Sequence, residues 1–409
     1  MSKPRILTVS DSVEAPTGFG RQHQVMADAL AATGKYEVVS IGLWHNGRAK
    51  RREVWGPAPA GDICLRPHTP LSYWCYPAGD LKAEWPQIVQ AWGPDIVIAL
   101  GDLWMFECIS DMPKRSFDWI HWLPIDAEPY AKQYDGILRK MDHLVLMSQF
   151  GEKLVRPHVE GRVRMSNIGH GIDPAVFCPV TPEQKQGLRR LWDVHLNFDL
   201  SKAKTVLICH DTNQWRKNTP ELLRMMQHLP MDTVLILHCT ETPVDGSGGW
   251  DLSMLAKDFG VDGRVVITGK GTARLQLSEA ELASLIQACD IRVSATTGEG
   301  FGICSIEAAA CGVPTVITNC TTSEEIIGGD PPCGLLAKVA GFYTQSGAPF
   351  QRALVDAQDM AGGVHALSDD ALFYKSCAEA GIARVRERYT TEIIGRQWVE
   401  LVDRHVASR

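Results

Sequence analysis

Residues 294–318, SATTGEGFGICSIEAAACGVPTVIT, constrain this chain more than any other stretch. The segment reads as the end of a strand, a glycine-rich corner, a helix of small residues and a second strand. Glu299 and Glu307 flank the corner. Their spacing carries no information by itself, because Glu152/Glu160, Glu379/Glu387 and Glu392/Glu400 are separated identically. What distinguishes them is the Gly300-Phe301-Gly302 turn between them and the strands on either side. Glycine lets backbone approach a ligand closely and take positive φ. The start of the following helix offers unpaired N–H groups to an anion. Carboxylates beside such a corner hold hydroxyls while the amides hold phosphate, a combination suited to a sugar nucleotide.

Glu299, Gly300, Phe301, Gly302, Glu307, Ala308, Gly312 and Pro314 together resemble the signature of the retaining GT-B glycosyltransferases, specifically glycosyltransferase family 4. The alternative is a plain strand–turn–helix unit of an α/β core. The resemblance implies an α/β fold of the GT-B type: two Rossmann-like, doubly wound domains with a cleft between them.

The chain has 409 residues, a length that suits two domains. Hydrophobic content of 45% and charged content of 22% are those of an ordinary globular protein. A net charge of −7 argues against broad non-specific binding to nucleic acid. No apolar window approaches the ~18 residues of a membrane span. The N-terminus reads as a first strand, Ile6 to Val9, rather than a signal peptide. The expectation is a cytoplasmic protein. Its twelve cysteines include no Cys-x-x-Cys. Cys209, Cys239, Cys289 and Cys311 lie in apolar patterns, where Cys behaves as a small buried hydrophobe.

Short apolar strands alternate with helical stretches, the pattern of parallel α/β sheets. Strands are expected at 6–10, 36–43, 95–99, 119–125, 144–147 and 163–168. Helices are expected at 22–33, 82–92 and 131–140. Pro174, Pro179 and Pro182 break the pattern after His170-Gly171-Ile172-Asp173. The expected division is an acceptor domain at 1–173, a donor domain at 174–388 and a terminal helix at 389–409 that crosses back to the first domain. The second series begins at Thr205–Cys209 and runs through strands at 233–238, 265–268 and 291–295.

Transfer from a sugar nucleotide leaves negative charge on the departing diphosphate, which cations or aligned N–H groups must stabilise. An Asp-x-Asp metal motif is absent; the nearest approach is Asp126-Ala127-Glu128. The expectation is therefore no metal and no cofactor, with a nucleoside-diphosphate sugar of the UDP-glucose or GDP-mannose kind as donor substrate. Cys209-His210-Asp211-Thr212-Asn213-Gln214-Trp215-Arg216-Lys217-Asn218 follows a strand and precedes a helix. In the family resembled, an Arg and a Lys at this turn contact the diphosphate. The Arg often stands several positions earlier, where Thr212 lies here; Arg216 and Lys217 instead match an Arg-Lys-Asn variant. The other reading is a solvated basic pair.

Gly18 and Gly20, in Pro16-Thr17-Gly18-Phe19-Gly20-Arg21, form a second corner after the first strand, which family members bring to the donor phosphates. It is not a nicotinamide fingerprint, since the third glycine is replaced by His23. Asp126 ends an apolar run that also contains His121. Asp126 has the better position for catalysis and His121 the residue type, although a histidine in such a run is more often a core residue. The resemblance implies that Glu307 receives the ribose and Glu299 the sugar hydroxyls. It assigns sugar and phosphate orientation to the amides near Phe301, Gly302, Ile303 and Cys304. No protein nucleophile is assigned; in the front-face route the departing phosphate takes the acceptor proton. His170 is either a turn residue or an acceptor ligand, and Ser148 either a strand-end ligand or a helix cap.

The acceptor is open: glycan, lipid, small molecule or nucleic acid. Arg48, Lys50, Arg51 and Arg52 form a basic run flanked by Trp44 and Trp55. It reads as a solvated loop or as a hold for an anionic acceptor. A transferase acting on modified DNA bases, an enzyme that isomerises or hydrolyses sugar nucleotides, and a non-catalytic sugar-nucleotide binder are the rival readings.

Overall fold

The computed structural model describes residues 3–43, 50–54, 71–78, 80–159, 161–244, 248–345, 347 and 349–409. The chain forms two compact units. Unit 1 comprises Met1–Ile125, Ala131–Gly171 and Thr390–Arg409, and unit 2 comprises Asp126–Tyr130 and Ile172–Tyr389.

Unit 1 is built on eight strands: β1 (Arg5–Asp11), β2 (Glu37–Leu43), β3 (Lys50–Val54), β4 (Leu71–Ala78), β5 (Ile96–Leu100), β6 (Asp118–Leu123), β7 (His143–Leu146) and β8 (Arg164–Asn167). They lie in the order β3-β4-β2-β1-β5-β6-β7-β8, parallel except for β3 against β4. Every residue of β5, IVIAL, is fully buried, as expected of a central parallel strand covered on both faces. The terminal helix Thr391–Ala407 packs in this unit on the helix Gly18–Ala32. The approach is close enough that a Cβ on Gly395 would lie 2.8 Å from Ala29 Cβ. Trp398 is buried edge-on to Trp122, with ring centroids 5.0 Å apart.

Unit 2 carries β9 (Thr205–Cys209), β10 (Thr233–Leu237), β11 (Val265–Ile267), β12 (Ile291–Ser294), β13 (Thr315–Thr318) and β14 (Gly334–Ala337), all parallel, in the order β11-β10-β9-β12-β13-β14. A separate antiparallel hairpin is formed by β15 (Val339–Thr344) and β16 (Gln351–Val355). Leu207, Leu222, Met226, Leu235, Val293 and Val316 belong to the core of this unit. Cys209, Cys239, Cys289 and Cys311 are buried free thiols.

Several features depart from the sequence reading, among them strands β4 and β14, which were not expected. The helix expected at 131–140 is a single 3-10 turn, Lys132–Tyr134, followed by one turn of α-helix, Asp135–Leu138. Gly136 lowers helix propensity in so short a segment. Lys50, Arg51 and Arg52 of the basic run lie in strand β3 rather than in a loop. The hairpin β15–β16 was not foreseen, and neither was the helix Pro182–Leu196, although Thr181 and Gln184 form a complete capping box at its start. The segment Asp126–Tyr130, read with the N-terminal domain, lies in unit 2.

Candidate functional site

Topology locates the site. In unit 2 the chain runs from β9 outward to β10 and β11, then returns to place β12 on the other side of β9. Ligands of open α/β sheets bind outside the carboxyl ends of the strands at such a switch point. The loop leaving β9 is His210–Asn218, and the loop leaving β12 is the Glu299 corner.

The first loop ends in a 3-10 turn, Trp215–Lys217, and Asn218 at φ 47° redirects the chain into the helix Thr219–Gln227. Asparagine tolerates this left-handed geometry better than most residues. The turn aims both cations at Glu299. Lys217 Nζ lies 2.5 Å from Glu299 Oε1, and Arg216 Nη1 lies 3.0 Å from Oε2. Arg216 Nη1 also donates to the carbonyl of Gly298 at 2.6 Å. Thr297 N donates back to Arg216 O at 2.8 Å, so backbone as well as side chains joins the loops.

The corner is held from β13. Thr321, itself at φ 48°, accepts from Glu299 N through Oγ1 at 2.9 Å, and Thr322 Oγ1 donates to Phe301 O at 2.8 Å. A non-glycine residue held at positive φ is a local strain that surrounding contacts must maintain. Gly302 sits at φ 103° as the N-cap of the helix Ile303–Ala310, with no side-chain cap. The helix therefore begins with amides of Ile303 and Cys304 that no capping side chain takes up. Its far end closes with Gly312 at φ 72°, whose N–H reaches Ala309 O, before Pro314. Phe301 is buried, edge-on to Tyr389.

Beneath the two cations lies a buried ionic node. Asp211 accepts from Arg292 Nη2 at 3.0 Å and from Ser294 Oγ at 2.5 Å, and Lys217 Nζ stands 3.6 Å away. Arg292 Nη1 reaches Ser305 Oγ at 3.1 Å. Burial opposes every charge here, yet Lys217 and Arg292 hold Asp211 well below the carboxylate range. Lys217 and Arg216 lower Glu299 likewise against its burial. Against the same penalty, Asp211 and Glu299 raise Lys217, and Glu299 and Asp126 raise Arg216.

Glu307 has no exposed surface, and its Oε2 lies 3.1 Å from His210 Nε2. Burial works against a charge on His210, but Cys304 and Glu307 raise its pKa to about 9. His210, Cys304 and Glu307 place a nitrogen, a sulfur and a carboxylate oxygen within 4.8 Å of one another, donors that suit a thiophilic cation. In this structure His210 and Glu307 bond each other.

Asp126 lies in unit 2 with its Oδ2 3.4 Å from Arg216 Nε and 3.3 Å from Arg352 Nη1. Glu299, Asp126, Arg216, Lys217, Gly300, Phe301, Gly302, Ile303, Cys304 and Glu307 thus belong to one neighbourhood of unit 2.

The remaining candidates lie in unit 1. Gly18 opens the helix Gly18–Ala32 with open space around its Cβ position. A Cβ on Gly20 would lie 2.5 Å from Ala15 O and 2.6 Å from Ser12 O, so loop packing itself demands that glycine. His121, the other catalytic candidate, lies inside β6. It is fully buried between Phe106 and Trp119, its Nε2 lies 2.9 Å from Gly101 O, and burial lowers its pKa to about 4. His170 is also buried, edge-on to Trp122 and 3.2 Å from Met147 Sδ. Ser148 caps a helix, accepting from Gly151 N at 3.1 Å. Arg52 forms a bidentate pair with Asp28, both bonds 2.8 Å. Lys50 and Arg51 lie in β3, while Arg48, Trp44 and Trp55 lie outside the described residues.

Sequence reasoning passed over Asp211, Arg292, Ser294, Thr321, Thr322 and Arg352. An arginine inside the apolar run Ile291–Ala295 was the available signal, because such a residue is almost never fully buried unless paired.

Residues 204–355 match the family model described as glycosyl transferases group 1. A GDP-mannose-dependent α-(1-6)-phosphatidylinositol dimannoside mannosyltransferase of Mycobacterium tuberculosis is 29% identical over 126 residues, 26% of this chain and 33% of that protein. A GDP-mannose-dependent monoacylated α-(1-6)-phosphatidylinositol monomannoside mannosyltransferase of Corynebacterium glutamicum is 22% identical over 274 residues, 64% and 62% of the two chains. The match spans about a third of the mycobacterial relative. Among solved structures, sucrose-phosphate synthase from Thermosynechococcus elongatus superposes with a TM-score of 0.71 at 20% identity over 100% of both chains. Anabaena HepE, solved with UDP and glucose, gives 0.67 at 16% identity over 98% of this chain and 99% of its own. The chain has the GT-B fold. Its residues 204–355, which hold most of the site described above, are similar to the group 1 glycosyl transferases. No helix among the described residues is long and apolar enough to cross a membrane.

Proposed function

We propose that this chain is a retaining glycosyltransferase that moves a hexose from a nucleoside-diphosphate sugar to an acceptor hydroxyl, with the donor seated at the carboxyl ends of β9 and β12. The observation that carries the reading is the convergence of Arg216, Lys217 and Glu299 beside the uncapped helix start at Ile303. Cationic side chains and helix-start amides are groups that stabilise the charge of a departing diphosphate. They supply that stabilisation without a divalent ion. Arg216 and Lys217 would turn from Glu299 toward the phosphates, releasing the carboxylate to the sugar hydroxyls. In the front-face route the anomeric C–O bond breaks, the acceptor oxygen bonds the same face, and the departing phosphate takes the acceptor proton. Glu307 is the ribose ligand by resemblance; it is enclosed and held by His210, so this contact requires the corner to open.

The relatives named GDP-mannose-dependent and the HepE structure with UDP and glucose motivate a first donor set of GDP-mannose and UDP-glucose. The test is a thermal-shift screen over nucleotide sugars, since a ligand stabilises the state it binds. It is followed by nucleoside-diphosphate release with acceptor mixtures and NMR of the anomeric centre. A stabilising donor, turnover undiminished by EDTA and retained configuration are expected. Inverted configuration, or activity lost on chelation, contradicts the mechanism.

A further inference from the structure

We propose that Arg352, on β16 and outside both donor loops, is a positioning residue that leaves the donor site a surplus positive charge by sharing Asp126 with Arg216. The inference rests on the donor-site reading above.

The geometry is specific. Arg352 is 6% exposed, and its Nη1 lies 2.8 Å from Asp126 O and 3.3 Å from Asp126 Oδ2. Its Nε donates to Gln345 Oε1 at 2.8 Å, fixing the guanidinium against its own hairpin. The hairpin is tied to the same neighbourhood by backbone: Gln351 N donates to Glu128 O at 2.7 Å, and Ala353 N donates to Thr297 O at 3.2 Å. Packing leaves no slack, since a Cβ on Gly298 would lie 2.0 Å from Asp126 O and 2.9 Å from Arg352 Nη1. Asp126 Oδ2 therefore sits between two guanidinium groups, with Arg216 Nε at 3.4 Å.

Charge then decides the function. The connected network contains the cations Arg216, Lys217, Arg292 and Arg352 and the carboxylates Asp126, Asp211 and Glu299. Four positive charges against three negative ones leave one positive charge for a diphosphate. Without Arg352 the counts are equal, and Arg216 alone must neutralise Asp126. Low local dielectric makes one unbalanced charge matter more than it does in water.

The experiment measures UDP and GDP binding by calorimetry to the full chain and its variants at low and moderate salt. Arg352→Gln keeps polar atoms and removes the charge; it is expected to weaken nucleoside-diphosphate binding on the order of tenfold, less so at high salt. Arg352→Lys should restore most of the affinity. The decisive variant is Arg352→Gln with Asp126→Asn, which returns the surplus to one and should recover affinity to within about threefold of wild type. A merely structural role predicts no recovery, because the second change removes a further contact. Wild-type affinity in Arg352→Gln, or an unrescued double variant, overturns the inference. A wild-type chain that binds neither UDP nor GDP overturns the donor-site reading and this inference with it.

Discussion

Lys217 Nζ and Glu299 Oε1 lie 2.5 Å apart, although Lys217 leaves β9 and Glu299 follows β12. The pair joins the two loops of the switch point and stores a cation where a diphosphate would sit. Lys217→Ala and Arg216→Ala should each lower kcat/KM by about 100- to 1,000-fold, the scale of losing one group that stabilises developing charge. Far-UV circular dichroism should stay native. Steady-state kinetics with the donor found by screening checks this, and unchanged kinetics in Lys217→Ala would remove Lys217 from the mechanism.

Asp211 and Arg292 form a wholly buried pair, each side chain 1% exposed. Removing one partner of such a pair strands the other charge, at a cost of about 3–5 kcal/mol. Arg292→Met should therefore lower the unfolding free energy of unit 2 by that amount. Arg292→Met with Asp211→Leu should cost less than the sum of the single changes. Urea titration followed by tryptophan fluorescence measures both, and additive losses would mean the pair is not coupled.

Stability should be limited on both sides of neutrality by different histidines. Burial lowers His23 and His121 to about 4 and His170 to about 3, all in unit 1. Their unfolded values lie near ~6.5, so the stability they contribute is complete above that pH and is lost as pH falls toward 4. Asp211 and Glu299 act in the same direction at lower pH, because their carboxyls are depressed in the fold. His210 acts oppositely. Raised to about 9, it contributes stability that is complete below ~6.5 and is lost as pH rises through 9. Denaturant titrations from pH 5 to 10 should show an alkaline decline that His210→Gln abolishes. A decline that survives the substitution would assign it to another group.

Gly302 holds φ 103° at the start of the corner helix. Its Cβ position is sterically open, with the nearest atom 3.8 Å away, so Gly302→Ala isolates the backbone effect. The change should cost about 1–2 kcal/mol. It should also raise the donor KM, because the Ile303 and Cys304 amides turn with that residue. An unchanged KM would show that those amides do not meet the donor.

Neutralising Arg48, Lys50 and Arg51 tests an anionic acceptor. If these residues neutralise acceptor phosphates, acceptor affinity should fall and its dependence on salt should flatten. An affinity without salt dependence, unchanged by the substitutions, removes that role.

Parallel strands such as Thr205–Cys209 and Thr233–Leu237 were legible because each is a nearly continuous apolar run, whereas β4 and β14 were not expected. The Glu299 corner was legible because glycine and small residues are imposed by backbone geometry, visible as positive φ at Gly302 and Gly312. The charged node was not. Asp211, Arg292 and Arg352 lie far apart in sequence, and each becomes meaningful only through partners that strand order brings together. His121 shows the reverse case: its residue type suggested chemistry, while its place inside β6 buries it. The hairpin escaped because β15, with a single partner strand, buries none of its residues fully and so lacks the signature of a core strand.

The mechanism turns on a sugar nucleotide's diphosphate lying at the carboxyl ends of β9 and β12. A crystal structure of the chain soaked with the nucleoside diphosphate selected by the screen examines that placement atom by atom. Phosphate oxygens are expected within hydrogen-bond distance of Arg216, Lys217 and the Ile303 and Cys304 amides, with the Lys217–Glu299 contact lengthened. A nucleotide bound elsewhere, with that contact intact, would contradict it.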